Sequence, residues 1–196
     1  ENPQQKAKAL INNNLFKQLS GEKKLSYNNL LDLDAALAIV YAFKSDKYIC
    51  TIIKHNIPCG ASIEKSQIKS YTSALSGDPI SAYGGVLAFN KKVNAATARN
   101  LIKNYFEVVA APDFESEALK IIKRKTNLRV LKVKKFKSKI EQRSIFAGKL
   151  IQDVNNKKST VENIYGKNKL NDEKINFFKN VLKVIKSNAI ALFDQT

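Results

Sequence analysis

Between residues 25 and 133, short apolar runs rich in Ile, Val and Ala alternate with segments whose apolar residues recur at helical spacing. Strands that alternate with helices of about 10–15 residues are the pattern of βαβ units, which place a largely parallel sheet between two helical layers. The expected fold class is therefore α/β. "LSYNNLLDLDAALAIVYAFK", residues 25–44, predicts a helix with apolar positions from Leu30 to Phe43 and Ser26 or an Asn as its N-cap. "KYICTII" reads as a buried strand that ends at the polar Lys54.

Beyond that strand, "PCG" reads as a tight turn with a small buried thiol, and "SIEKSQIKSYTSALSG" as a helix stopped by Gly77. "DPISAYGG" supplies turn chemistry, and "GVLAFN", "FEVVAAP" and "NLRVLKV" are strands separated by the helices "AATARNLIKN" and "ESEALKIIKRK". The pattern loosens after about residue 131. The expected organisation is a first α/β domain over 1–135, a polar linker or small subdomain over 136–171, and a helix and strand over 172–196 that open a further unit. "NAIALF" is the strand in that last segment.

Charge and cysteine content narrow the function classes. No stretch approaches the roughly 18 apolar residues of a membrane-spanning helix, so no membrane partner and a cytoplasmic location are expected. Two cysteines, Cys50 and Cys59, make neither a disulfide framework nor a four-ligand zinc site. The formal charge of +17 would suit nucleic acid, but Lys is abundant together with Asn and Ile, a bias that an AT-rich coding sequence also produces. A solvated basic surface is the favoured reading, with anionic small molecules as partners rather than nucleic acid.

The chain's single histidine, His55, follows Lys54 at the expected end of a strand, and ligands of open α/β sheets gather at the strands' carboxyl ends. Imidazole titrates near neutrality, and an adjacent ammonium favours the neutral form that a general base requires. The bland alternative is a histidine packed at a strand edge. "IPCG" invites comparison with the zinc deaminase signature, yet Ser62 stands where the second Cys would fall and no Glu follows His55, so no metal is expected. In "SAYGG" the glycines would let a ligand approach the main chain closely.

Taken together, "ENPQQ", "LSYNNLLDLDAAL", "IIKHNIPCG", "DPISAYGG", "EVVAAPDFESEALKIIKRKTNLRVL" and "VKVIKSNAIALF" resemble, in content, order and spacing, the transformylase part of the AICAR transformylase/IMP cyclohydrolase family. The resemblance implies a three-layer, cytidine-deaminase-like α/β/α fold without zinc. It also implies transfer of a formyl group from 10-formyltetrahydrofolate to the 5-amino group of AICAR, giving FAICAR in purine (IMP) biosynthesis. On that resemblance Lys54 and His55 match the catalytic Lys-His pair, and Asn188 the catalytic asparagine. Asn29, Tyr83, Gly84 and Glu107 fall at AICAR contacts.

The resemblance further implies a homodimeric parent enzyme that is also an IMP cyclohydrolase. The chain would be its central piece, expected to show little turnover alone. The rival readings are a nucleotide-binding homologue without catalysis and a basic nucleic-acid module centred on "KVKKFKSK".

Overall fold

Residues 4–12, 14–42, 44–136, 138–155, 171–185 and 187–193 are described by a computed structural model. Two compact units emerge, one of residues 1–135 with 171–196 and one of 136–170.

In the larger unit the chain runs β1 (Phe16–Ser20), α1 (Tyr27–Val40), β2 (Tyr48–Lys54), β3 (Ile57–Glu64), α2 (Gln67–Gly77), β4 (Gly85–Phe89), α3 (Ala95–Leu101), β5 (Phe106–Ala111), α4 (Ser116–Ile122) and β6 (Arg129–Val133), with α5 (Asp172–Val184) following later. The six strands form one sheet in the order β1-β6-β5-β4-β2-β3. Alternation of side chains across the pleat sends Val109 and Ala111 to one face and Val108 and Ala110 to the other. On the first face they meet Tyr71 and Ala74 of α2, Leu101 of α3 and Ile122 of α4. On the second they meet Ile39 and Val40 of α1 and Phe177 and Val181 of α5. The expected α/β class, in three layers, is thus borne out.

The sheet is mixed, however, and only β4, β5 and β6 run parallel. β2 lies antiparallel to both β3 and β4, and β1 antiparallel to β6. β1, in "LFKQLS", carries no clear signal in the sequence, being short and broken by a register shift between Gln18 and Ser20.

Two further expectations are corrected. "IPCGASIE", read as a turn followed by the start of a helix, is strand β3. α2 therefore starts only at Gln67. Glycine at position 60 serves packing rather than turning, since a Cβ there would lie 1.9 Å from the Ala74 carbonyl oxygen of α2. "NAIALF" is not a strand: Ile190 and Leu192 are 87% and 96% exposed, and no described strand pairs with the segment. An apolar run becomes a strand only where its backbone finds a neighbouring edge, and here Phe193 instead stacks on Phe178 of α5 at 4.0 Å.

The smaller unit contains one antiparallel hairpin, β7 (Ile140–Ile145) with β8 (Gly148–Asp153), whose residues are all exposed. Residues 156–170, the polar part of the expected linker, lie outside the described residues, as do residues 1–3 of "ENPQQ".

Candidate active site

Lys54 closes β2 and Ile57 opens β3 directly opposite it, so His55 and Asn56 alone make the connection. Both have positive φ, 54° and 63°, as the two-residue type I′ hairpin turn requires. His and Asn are among the few non-glycine residues that enter this region readily. His55 is exposed at the tip. Lys54 is fixed at the base, where its ammonium donates to the Tyr83 carbonyl.

The partner segment is the turn between α2 and β4. Asp78 organises it by accepting from the Ser81 amide at 2.9 Å and the Ser81 hydroxyl at 2.6 Å. These hydrogen bonds hold the Asp78 carboxyl below its ordinary range. Gly84 has φ of 74° and donates its amide to the Tyr105 carbonyl at 2.9 Å. A side chain at Gly84 would be strained in this conformation and would approach Lys54 Nζ to 3.7 Å. The Tyr83 and Tyr105 rings lie 5.0 Å apart beside it, with Tyr83 66% exposed.

A second group surrounds Glu107. Gly85 pairs with Phe106 and Val86 with Val108, leaving Glu107 as the surplus residue of a bulge. Its carboxylate accepts from Asn29 Nδ2 at 2.8 Å. The Asn29 Oδ1 is already used, accepting from the Ser26 amide at 3.1 Å in the cap of α1. Arg129, only 7% exposed, donates Nη1 to the Glu107 carbonyl and Nε to the Lys24 carbonyl, both at 3.1 Å. Its Nη1 also stands 3.5 Å from the Glu107 carboxylate.

Both groups lie at one end of the sheet, but not at the end anticipated. Because β2 runs against β4, the carboxyl end of β2 coincides with the amino ends of the parallel strands: Gly85 of β4, Glu107 of β5 and Arg129 of β6. Cys59, near the same turn, is the bulge residue of β3, unpaired between Pro58 and Gly60. Burial pushes its thiol up, Asp78 adds to the shift and Lys54 opposes it. Among the described residues no three His, Cys, Asp or Glu side chains converge as metal ligands would.

The structure thus brings Lys54 together with Tyr83 and Gly84, leaves His55 exposed as the next residue of the chain, and pairs Asn29 with Glu107. Among the described residues Asn188 makes a side-chain hydrogen bond only with Ser187, whose hydroxyl donates to its Oδ1 at 3.5 Å, and none with Lys54 or His55. Chemically, an exposed imidazole can take a proton from a bound amine. The ammonium of the preceding residue, Lys54, uses one of three donors on Tyr83 and keeps others to stabilise negative charge.

The profile of the AICARFT/IMPCHase bienzyme family matches residues 1–196. The chain belongs to that family. Its relatives include proteins named bifunctional purine biosynthesis protein PurH. That of Prochlorococcus marinus (strain MIT 9312) is 41% identical over 98% of this chain and 41% of its own length. That of Clostridium botulinum (strain 657 / Type Ba4) is 42% identical over 90% of this chain and 36% of its own length. That of Brachyspira hyodysenteriae is 41% identical over the same shares, 90% and 36%. The chain therefore spans about two fifths of the length of the curated relatives it matches, and the resemblance read from its motifs is borne out.

Sequence reasoning overlooked three residues of this AICARFT/IMPCHase chain: Asp32, Arg129 and Tyr105. Asp32 and Asn29 are three apart on α1, which places them one above the other on a helix face whose other members are buried. That was a usable signal, as was a lone arginine inside the apolar run "NLRVLKV".

Proposed function

We propose that this chain forms part of the formyl-transfer machinery of a purine-biosynthetic enzyme, which moves the formyl group of 10-formyltetrahydrofolate to the 5-amino group of AICAR. The amine nitrogen bonds to the formyl carbon, the bond from that carbon to the folate nitrogen breaks, and the amine proton leaves. In this reading His55 accepts that proton, and Lys54 steadies charge on the formyl oxygen or the departing folate nitrogen. Asn29, Tyr83, Gly84 and Glu107 contact AICAR, and Asn188 orients an amide or the formyl oxygen. Substrate anions suit the +17 chain. The reading extends to a homodimeric, cytoplasmic parent that also carries the cyclohydrolase activity, and it needs no metal.

The observation that carries this reading is the single turn that presents His55 to solvent while its base, Lys54, is bound to the Tyr83–Gly84 segment. In the native protein that carries this chain, tetrahydrofolate release is expected on mixing with AICAR and 10-formyltetrahydrofolate, with the rate unchanged after dialysis against a chelator. A folded native protein that neither binds AICAR nor releases tetrahydrofolate would defeat the reading. A rate that collapses on chelation and returns with zinc would defeat its metal-free part.

A further inference from the structure

The His55–Asn56 turn holds two successive non-glycine residues at positive φ, a conformation that His and Asn enter more readily than most residues but that still costs more than it would for glycine. Type I′ turns usually relieve that cost with glycine at the second position, where this chain has Asn56. One contact offsets it. The Asn56 backbone amide donates to Asp32 Oδ1 at 2.6 Å, from a carboxylate only 8% exposed on α1. Asp32 sits one helical turn beyond Asn29, whose amide holds the Glu107 carboxylate. α1 is itself pinned at its start by the reciprocal Ser26–Asn29 cap, with both bonds at 3.1 Å. One rigid helix face therefore sets the tip of the His55 turn and the position of Glu107 together.

We infer that Asp32 is a positioning residue for His55: it holds the strained turn through the Asn56 amide and so keeps the imidazole where a proton can be delivered to it. The inference rests on the formyl-transfer reading for its catalytic consequence, while the clamp itself does not. What matters is the acceptor oxygen rather than the negative charge, so an amide oxygen at the same place serves.

Three variants of the native protein and one exchange measurement test this. Asp32→Ala is expected to lower kcat for formyl transfer about tenfold or more, the scale on which small misplacements of reacting groups act, with KM for AICAR within about threefold. Asp32→Asn is expected to stay within about threefold of wild type in both. Asn56→Gly added to Asp32→Ala is expected to recover much of the lost kcat, because glycine adopts positive φ without help. Hydrogen exchange of the Asn56 amide should be slow in wild type and in Asp32→Asn, and about tenfold faster in Asp32→Ala.

Equal losses in Asp32→Ala and Asp32→Asn, or no recovery on adding Asn56→Gly, would overturn the inference. So would a wild-type Asn56 amide that exchanges as fast as a free turn amide, a reading that stands even if Asp32→Ala does not fold. If the wild-type protein shows no formyl transfer, the exchange data still decide the clamp, and only the proposed reaction falls.

Discussion

Replacing His55 by alanine in the native protein is expected to lower kcat for formyl transfer by about 10²–10⁴ while leaving AICAR affinity within a few-fold. A proton acceptor acts in the transition state and contributes little to ground-state binding. The turn geometry supports this split, because His55 is exposed at a two-residue tip and its removal leaves no buried cavity. Lys54→Ala should lose activity comparably. Lys54→Arg should not restore it, since a planar guanidinium cannot occupy the place of a compact ammonium held between the Tyr83 carbonyl and Gly84. Steady-state assays on folded variants check this. A His55→Ala enzyme that keeps more than about a tenth of wild-type kcat, far above the loss expected for a general base, would move the chemistry to another residue.

Gly60→Ala is the second large effect, and it falls on stability. The added Cβ would stand 1.9 Å from the Ala74 carbonyl oxygen and 2.9 Å from the Ala74 carbonyl carbon, both backbone atoms that no rotamer change can move. α2 must lift from β3, which breaks the contact of Tyr71 and Ala74 with the core on that face. A loss of about 3 kcal/mol or more is expected, as for severe overpacking, seen as a fall in Tm of roughly 10 °C. Gly84→Ala is the informative contrast. Its Cβ would meet nothing closer than 3.5 Å, so only the positive φ penalises it, by about 1 kcal/mol. Thermal denaturation of both variants decides the point, and a Gly60→Ala protein no less stable than Gly84→Ala would show that α2 does not pack as described.

The layered α/β architecture was legible because strands β4, β5 and β6 and helices α1 and α4 each carry one period along their length, and local preference agrees with burial there. The hairpin was not legible, because its turn is His-Asn, without the glycine that usually announces a two-residue connection, and because the nearby Pro58 and Gly60 look like the turn instead. Once β2 and β3 are joined by so short a link they must be antiparallel, and the sheet turns mixed. The same oversight misplaced the candidate site relative to the parallel strands. Lys54, His55, Tyr83 and Gly84 were recognisable as motif residues, whereas Asp32 and Arg129 act through contacts spanning 24 and 22 positions of chain, which no local pattern encodes.

The surplus residues Cys59 and Glu107 bear on how this sheet tolerates changes in length. In a regularly paired strand, removing one residue turns every later side chain to the opposite face. Here Pro58 and Gly60 already sit across from the successive residues Ile53 and Ile52, and Phe106 and Val108 across from the successive residues Gly85 and Val86. A strand shortened by one at either place would keep its inside and outside faces unchanged. Cohesion of the sheet alone would thus be served by fewer residues, and these two places where chain length is spare adjoin Lys54 and Asn29. Loss of one residue can enter the fold at either place without disturbing its layers.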